Sequence, residues 1–167
     1  MSTGRSAENE VRNDQILDDV RSALARGRNC SSWLSAPATS TTWPTNSRRA
    51  SHEAVVLKRG MGAKARANAV ARLQQPAQEA PLLAVATGSF VGEGFDCPAL
   101  DTHFLAGPVS FKGRLVQYAG RVLRTYPGKT TAEIHDYHDV DVPVLAAALA
   151  KRAPGYLSLG FPDPRRQ

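Results

Sequence analysis

Apolar positions change their period several times along the chain, and each change marks an element. Between Glu8 and Arg26 the residues Val11, Ile16, Leu17, Val20, Ala23 and Leu24 recur at helical spacing and Gly27 supplies a stop, so an amphipathic helix is predicted. Ala54 to Lys58 reads as a strand and Gly60-Met61-Gly62 as a turn. Ala63 to Leu73 reads as a helix with Ala67, Val70 and Leu73 inward and Lys64, Arg66 and Arg72 outward. From Pro81 to Asp139 three short apolar runs follow: Leu82 to Ala86, Thr102 to Ala106 and Thr131 to Tyr137. The first breaks into Thr87-Gly88 and the second into Gly107-Pro108, and a helical pattern after Phe111 precedes the third. Continuous apolar runs separated by glycine-rich turns and helices suit the buried parallel strands of an α/β domain better than alternating edge strands. Val142 to Arg152 is a last helix, with Val144, Leu145, Ala148 and Leu149 apolar, and Pro154-Gly155 is expected to end it. Tyr156 to Phe161 then forms a short apolar tail tucked onto the domain. The fold class is α/β, three layers with a mostly parallel sheet flanked by helices. The domain runs over 8–161, between a flexible tail at 1–7 and a frayed one at 162–167.

One interval fits neither period. From Ser31 to Arg49 the chain has two prolines and a run of Ser and Thr, so composition reads 31–50 as irregular. An unstructured stretch of that length inside one domain is uncommon.

Composition narrows the picture further. At 167 residues the chain holds one domain with a real core. Lys and Arg number 21 against 15 Asp and Glu, a net charge of +6. The excess lies between Ser31 and Thr130, where 12 basic residues face five acidic ones, which suits a polyanionic partner but also plain solubility. Cys30 and Cys97 are far apart and form no metal or disulfide pattern, which fits a reducing, cytoplasmic setting. No run approaches the roughly 18 apolar residues of a membrane span, and no membrane partner is expected.

The loops at the strand ends carry the chemistry. Ala86-Thr87-Gly88 with Gly92-Glu93-Gly94-Phe95-Asp96, and Gln117-Tyr118-Ala119-Gly120-Arg121-Val122-Leu123-Arg124, occur in that order along the central stretch. The first resembles motif V of superfamily 2 helicases and the second their motif VI, Q-x-x-G-R-x-x-R. The resemblance covers the chain from about Asn9 to the C-terminus. It implies the C-terminal RecA-like domain of a nucleic-acid-dependent ATPase, closest in flavour to the type III restriction and DNA-repair-like branch.

Spacing and resemblance assign roles together. Gln117, Arg121 and Arg124 stand at helical spacing, so they are expected on one face of the helix after Phe111, with Gly120 allowing close approach. Arginine suits phosphoryl transfer because its planar fork stays charged and can hold two phosphate oxygens. The resemblance implies that Arg124 is the arginine finger, Arg121 a second γ-phosphate contact and Gln117 a supporting contact. Surface ion pairs are the commoner fate of such arginines. It also implies that Thr87, Gly88 and Ser89 grip a nucleic-acid phosphate, while Gly94 and Asp96 face the nucleotide, where the carboxylate accepts a ribose hydroxyl. A helix N-cap at Thr87-Gly88 and a tight turn at Gly92 to Gly94 are the structural alternatives.

Gly128-Lys129-Thr130 imitates the end of a P-loop, but the glycine required five positions earlier is Leu123, and this stretch leads from helix to strand rather than the reverse. It reads as a turn. No other G-x-x-x-x-G-K-S/T occurs, so ATP with Mg2+ would be bound mainly by a first RecA-like domain on a separate or missing chain, and this chain alone should hydrolyse ATP negligibly. A start at Met1 just before the first helix suggests a truncated or split gene. His135 and His138 fall on opposite faces of a strand and cannot converge on a metal, and Cys97 reads as packing rather than nucleophile.

The resemblance also implies a strand and a helix after Cys30, where the irregular interval stands. Compensating frameshifts in a GC-rich gene are one account and a natural loop the other. The rival readings for the whole chain are a non-catalytic module binding nucleic acid or protein, and a decayed gene product.

Overall fold

The computed structural model describes residues 3–34, 54–58, 60–75, 80–87, 96–106, 112–137 and 143–166. The first helix, α1, spans Thr3–Ala25, starting earlier than the Glu8 the pattern predicts. It ends where Gly27 adopts a φ of 77°, with Arg28 N–H donating to the Ala23 carbonyl and Gly27 N–H to that of Leu24. These paired bonds satisfy carbonyls that would otherwise be orphaned, and they turn the chain straight into β1.

Strand β1, Cys30–Leu34, corrects the composition reading of 31–50 as irregular and stands where the resemblance implies a strand. Serines with no alternation read as irregular, and the structure places them in the middle of the sheet. The strands β1, β2 (Val55–Leu57), β3 (Leu83–Thr87), β4 (Thr102–Leu105) and β5 (Glu133–Asp136) lie in the order β2-β3-β1-β4-β5, all parallel. A strand hydrogen-bonded on both sides draws its stability from two ladders, so weak intrinsic propensity is overridden. Small side chains also suit Ser31 and Ser32, which are buried. The irregular interval therefore begins no earlier than residue 35, and 35–53 lies outside the described residues.

Alternation along the strands divides the core in two. On one face Leu83, Val85, Cys30 and Phe104 meet Ile16, Val20, Ala23 and Leu24 of α1. On the other, Val55, Leu57, Ala84, Ala86 and Leu105 meet α2 (Ala63–Gln74), α3 (Lys112–Val122) and α4 (Pro143–Ser158) through Leu73, Leu115, Tyr118 and Tyr156. The inward face of α2 is set by Ala69 and Leu73, four apart, rather than by Ala67, which is exposed; Lys64, Arg66 and Arg72 are exposed. Among the described residues no helix is long and apolar enough to cross a membrane.

Helix α4 also departs from expectation. It runs through Pro154 and stops at Gly160, where φ is 85° and Phe161 N–H reaches the Tyr156 carbonyl. Proline at 154 forfeits one helical bond, but the helix is pinned beyond it. Arg152 pairs with Asp136 of β5 at 2.7 Å, the Tyr156 hydroxyl donates to the same carboxylate at 2.7 Å, and Phe161 packs edge-on against Tyr156. The C-terminal stretch predicted to fray forms a short 3-10 turn, Pro164–Arg166, with Asp163 accepting from Arg165.

Candidate functional site

Three segments converge beside the N-terminal ends of β1 and β4. Asn29, just before β1, holds them in register: its amide donates to the Ala99 carbonyl at 3.0 Å and its side-chain oxygen accepts from Leu82 N–H at 2.8 Å. Asp101 and Thr102 donate their amides to the Asn29 carbonyl. The loop from Asp96 to Asp101 is thereby fixed against the start of the sheet.

Helix α3 stops at Val122, so Arg124 is not on the helix as its spacing predicts but in the turn that closes it, its N–H reaching back to the Arg121 carbonyl at 3.3 Å. From that turn the Arg124 guanidinium meets the Asp96 carboxylate. The two residues are far apart in sequence and come from the two motifs. Both side chains are about half exposed, 53% and 50%, so the pair is open to exchange with a ligand from solvent. Gln117 is exposed one turn before Arg121.

Arg121 is half-buried, with Nη1 shut off from solvent. It lies on the face of α3 that also carries Tyr118, whose ring centroid is 5.8 Å from that of His103 on β4. His103 is buried, and burial first and the Arg121 charge second push its titration down from 6.5 to about 4. It is therefore neutral at pH 7.

Lys129, in the stretch that imitates a P-loop, sits in a turn made by Gly128 at φ 79°. Its ammonium donates to the carbonyls of Pro98 at 3.2 Å, Leu100 at 2.7 Å and Arg124 at 2.7 Å. One side chain thus ties the Asp96 loop to the Arg124 turn, and desolvation lowers its titration. The stretch is a turn leading from α3 to β5, as its pattern predicts, and this tie between the two segments has no counterpart in the sequence pattern. A lysine five residues past Arg124 carries no motif that would reveal it.

Thr87 closes β3 opposite Leu34. Gly88, Ser89 and Gly94, which complete the first motif, lie outside the described residues. Among the described residues no group of three His, Cys, Asp or Glu side chains could hold a metal ion. His135 stacks on Phe104 with centroids 4.5 Å apart and approaches Glu133 at 3.4 Å, while His138 lies outside the described residues. Burial pushes the Cys30 thiol up to about 12 and raises that of Cys97, so neither is an activated nucleophile. A cavity of about 260 Å³ lies between β5, α4 and the C-terminal turn, lined by Ile134, Asp136, Leu149, Tyr156 and Phe161 among others. Its one carboxylate is already saturated by Arg152 and Tyr156.

Comparison with known proteins bears on this geometry. No protein-family model matches the sequence, and no curated protein matches it. Solved structures do match. UvsW of T4 aligns over 93% of this chain and 35% of its own, at 17% identity and a TM-score of 0.63. The C-terminal domain of the DEAD-box protein Dbp5 aligns over 88% of this chain and 79% of its own, at 13% identity and a TM-score of 0.60. The fold is that of a RecA-like domain. The C-terminal part of the Fun30 ATPase domain aligns over 74% of this chain, at 10% identity and a TM-score of 0.59, and this chain spans only 40% of that structure. Two of these neighbours are themselves C-terminal pieces, one of a DEAD-box protein and one of an ATPase domain.

Proposed function

We propose that the chain is the C-terminal half of an ATP-dependent nucleic-acid helicase or translocase of the type III restriction-like branch, completing an ATP site on a first RecA-like domain and gripping a nucleic-acid backbone. The observation that carries this reading is the Arg124–Asp96 contact, which joins the two motifs at a solvent-open edge. ATP, when bound, supplies the phosphoryl group and its Mg2+ ion, both held mainly by the first domain. The residues here fit that role. Arg124 is a cation exposed at the end of a rigid helix, and it can trade Asp96 for a phosphate oxygen as Asp96 turns to a ribose hydroxyl. Arg121, half-buried on α3 three residues before Arg124, adds a second cation. Such groups stabilise charge that develops in the transition state without reorganising.

Thr87, Gly88 and Ser89 remain the assigned backbone grip, with Gly94 beside the nucleotide and Gln117 in support. Among the structural neighbours, the type ISP restriction-modification enzyme LlaBIII, matched at 17% identity, is bound to DNA and Dbp5 to RNA and ADP BeF3, which supports a nucleic-acid backbone as partner. The test is to supply a first RecA-like domain bearing a P-loop and to measure nucleic-acid-stimulated ATP hydrolysis. Activity appearing with the wild-type chain and lost with Arg124→Ala supports the reading. Nucleic-acid binding that ignores Arg121→Ala and Arg124→Ala, with no ATPase under any pairing, leaves the non-catalytic binding module instead.

A further inference from the structure

The Gly128-Lys129-Thr130 stretch forms no phosphate loop, yet it stands where the two motifs meet. Lys129 N–H bonds the Tyr126 carbonyl at 3.0 Å, and Gly128 takes the left-handed backbone that this tight turn needs. The turn brings the lysine ammonium to three carbonyls: that of Arg124 at 2.7 Å, and those of Leu100 at 2.7 Å and Pro98 at 3.2 Å in the loop that Asp96 opens. An ammonium has three N–H donors and no acceptor, so each donor has its own carbonyl and none is left for a phosphate. Arg124, by contrast, is weakly held. It lies beyond Val122, the last residue of α3, and its N–H reaches the Arg121 carbonyl at 3.3 Å. Its side-chain link to Asp96 is half exposed, and a pair of that kind holds little by itself. When Arg124 trades Asp96 for a phosphate oxygen, that link is given up. The three Lys129 bonds run to backbone oxygens and survive the trade.

We propose that Lys129 is a positioning residue for Arg124: its ammonium holds the Arg124 backbone at a set distance from the Asp96 loop, so that the guanidinium changes partners without its base moving. The inference rests on the nucleotide-site reading for its purpose and on the three ammonium bonds for its geometry. It gives the stretch that imitates a P-loop a part in the site, as a brace between the motifs and not as a ligand for phosphate.

The test has two arms. Lys129→Met keeps the length of the side chain and removes its donors. In the chain alone, hydrogen exchange of the Leu100 and Arg124 amides should speed up about tenfold or more relative to that of Phe161, which reports on the rest of the fold. Exchange that is unchanged, or accelerated equally at all three amides, overturns the proposal. In the chain supplied with a P-loop domain, Lys129→Met should lower kcat about tenfold or more with KM for ATP nearly unchanged, the mark of a group misplaced for the transition state. Lys129→Cys should show the same loss and regain most of it on alkylation with bromoethylamine, which rebuilds an ammonium of lysine's length; Cys30 and Cys97 are buried. In an Arg124→Ala background, Lys129→Met should cost nothing further, because its effect passes through Arg124. An equal loss of kcat in both backgrounds, or no recovery on alkylation, contradicts a positioning role. If exchange responds as expected while Arg124→Ala leaves ATPase intact, it is the nucleotide-site reading that fails and the Lys129 brace that stands.

Discussion

Two arginine–aspartate pairs in this domain have the same chemistry and opposite surroundings. Arg152 and Asp136 are 5% and 8% exposed, meet through two hydrogen bonds of 2.9 and 2.7 Å, and share the carboxylate with the Tyr156 hydroxyl. Arg124 and Asp96 are half exposed and joined by a single contact. A buried pair cannot be opened without stranding a charge in a medium that solvates it poorly. An exposed pair gives up little when water or a ligand replaces one partner. The difference separates an arginine that holds the fold from one that is available for use. Arg28 belongs with the first kind: it is 15% exposed and binds Thr102, Thr131 and Asp101 across the starts of β4 and β5.

Breaking the buried pair should have the largest effect. Arg152→Ala leaves the Asp136 carboxylate without its countercharge, and chemical denaturation should show a loss of about 3–5 kcal/mol. Next comes His103. Its folded titration lies below its unfolded one, from 6.5 down to about 4, so between those values the unfolded chain binds more protons. Its contribution to stability is therefore intact above pH 6.5 and is lost as pH falls toward 4, a total of about 3 kcal/mol. Denaturation measured across that window should show the slope in the wild-type chain and a flatter profile in His103→Gln. Lys129→Met removes the donor to three carbonyls and should cost about 1–2 kcal/mol by the same measurement. It sharpens the comparison, because it loosens the Arg124 turn without touching the Arg124–Asp96 pair itself. Smallest of all, Arg124→Ala should change stability by no more than about 0.5 kcal/mol.

The elements that were legible in the sequence are those whose burial repeats at a fixed period. The α1 positions Ile16, Val20, Ala23 and Leu24 announce their face directly, and the continuous apolar run Leu83 to Ala86 announces a strand buried on both faces. The strand β1 was implied by the resemblance but hidden from composition, because its order comes from two neighbouring ladders rather than from its own residues, and a serine-rich strand looks like a loop until its partners are known. Pro154 misled for a related reason: its local cost is real, but the Asp136 clamp and the Gly160 cap lie beyond it. At the site, Arg121 and Arg124 were found by motif, yet the end of α3 between them was not. Spacing alone puts both on one helical face, whereas the turn after Val122 delivers Arg124 to Asp96. Lys129 had no sequence signal, since its role exists only once distant carbonyls are brought beside it.

The central claim is that Arg124 serves a ligand and not the fold. It is tested most directly by ATP hydrolysis in the Arg124→Ala chain supplied with a P-loop domain, on protein that unfolds at the wild-type temperature. The account predicts a fall of about a thousandfold or more, the effect of losing an arginine finger. Hydrolysis at the wild-type rate in a fully folded Arg124→Ala chain would contradict it.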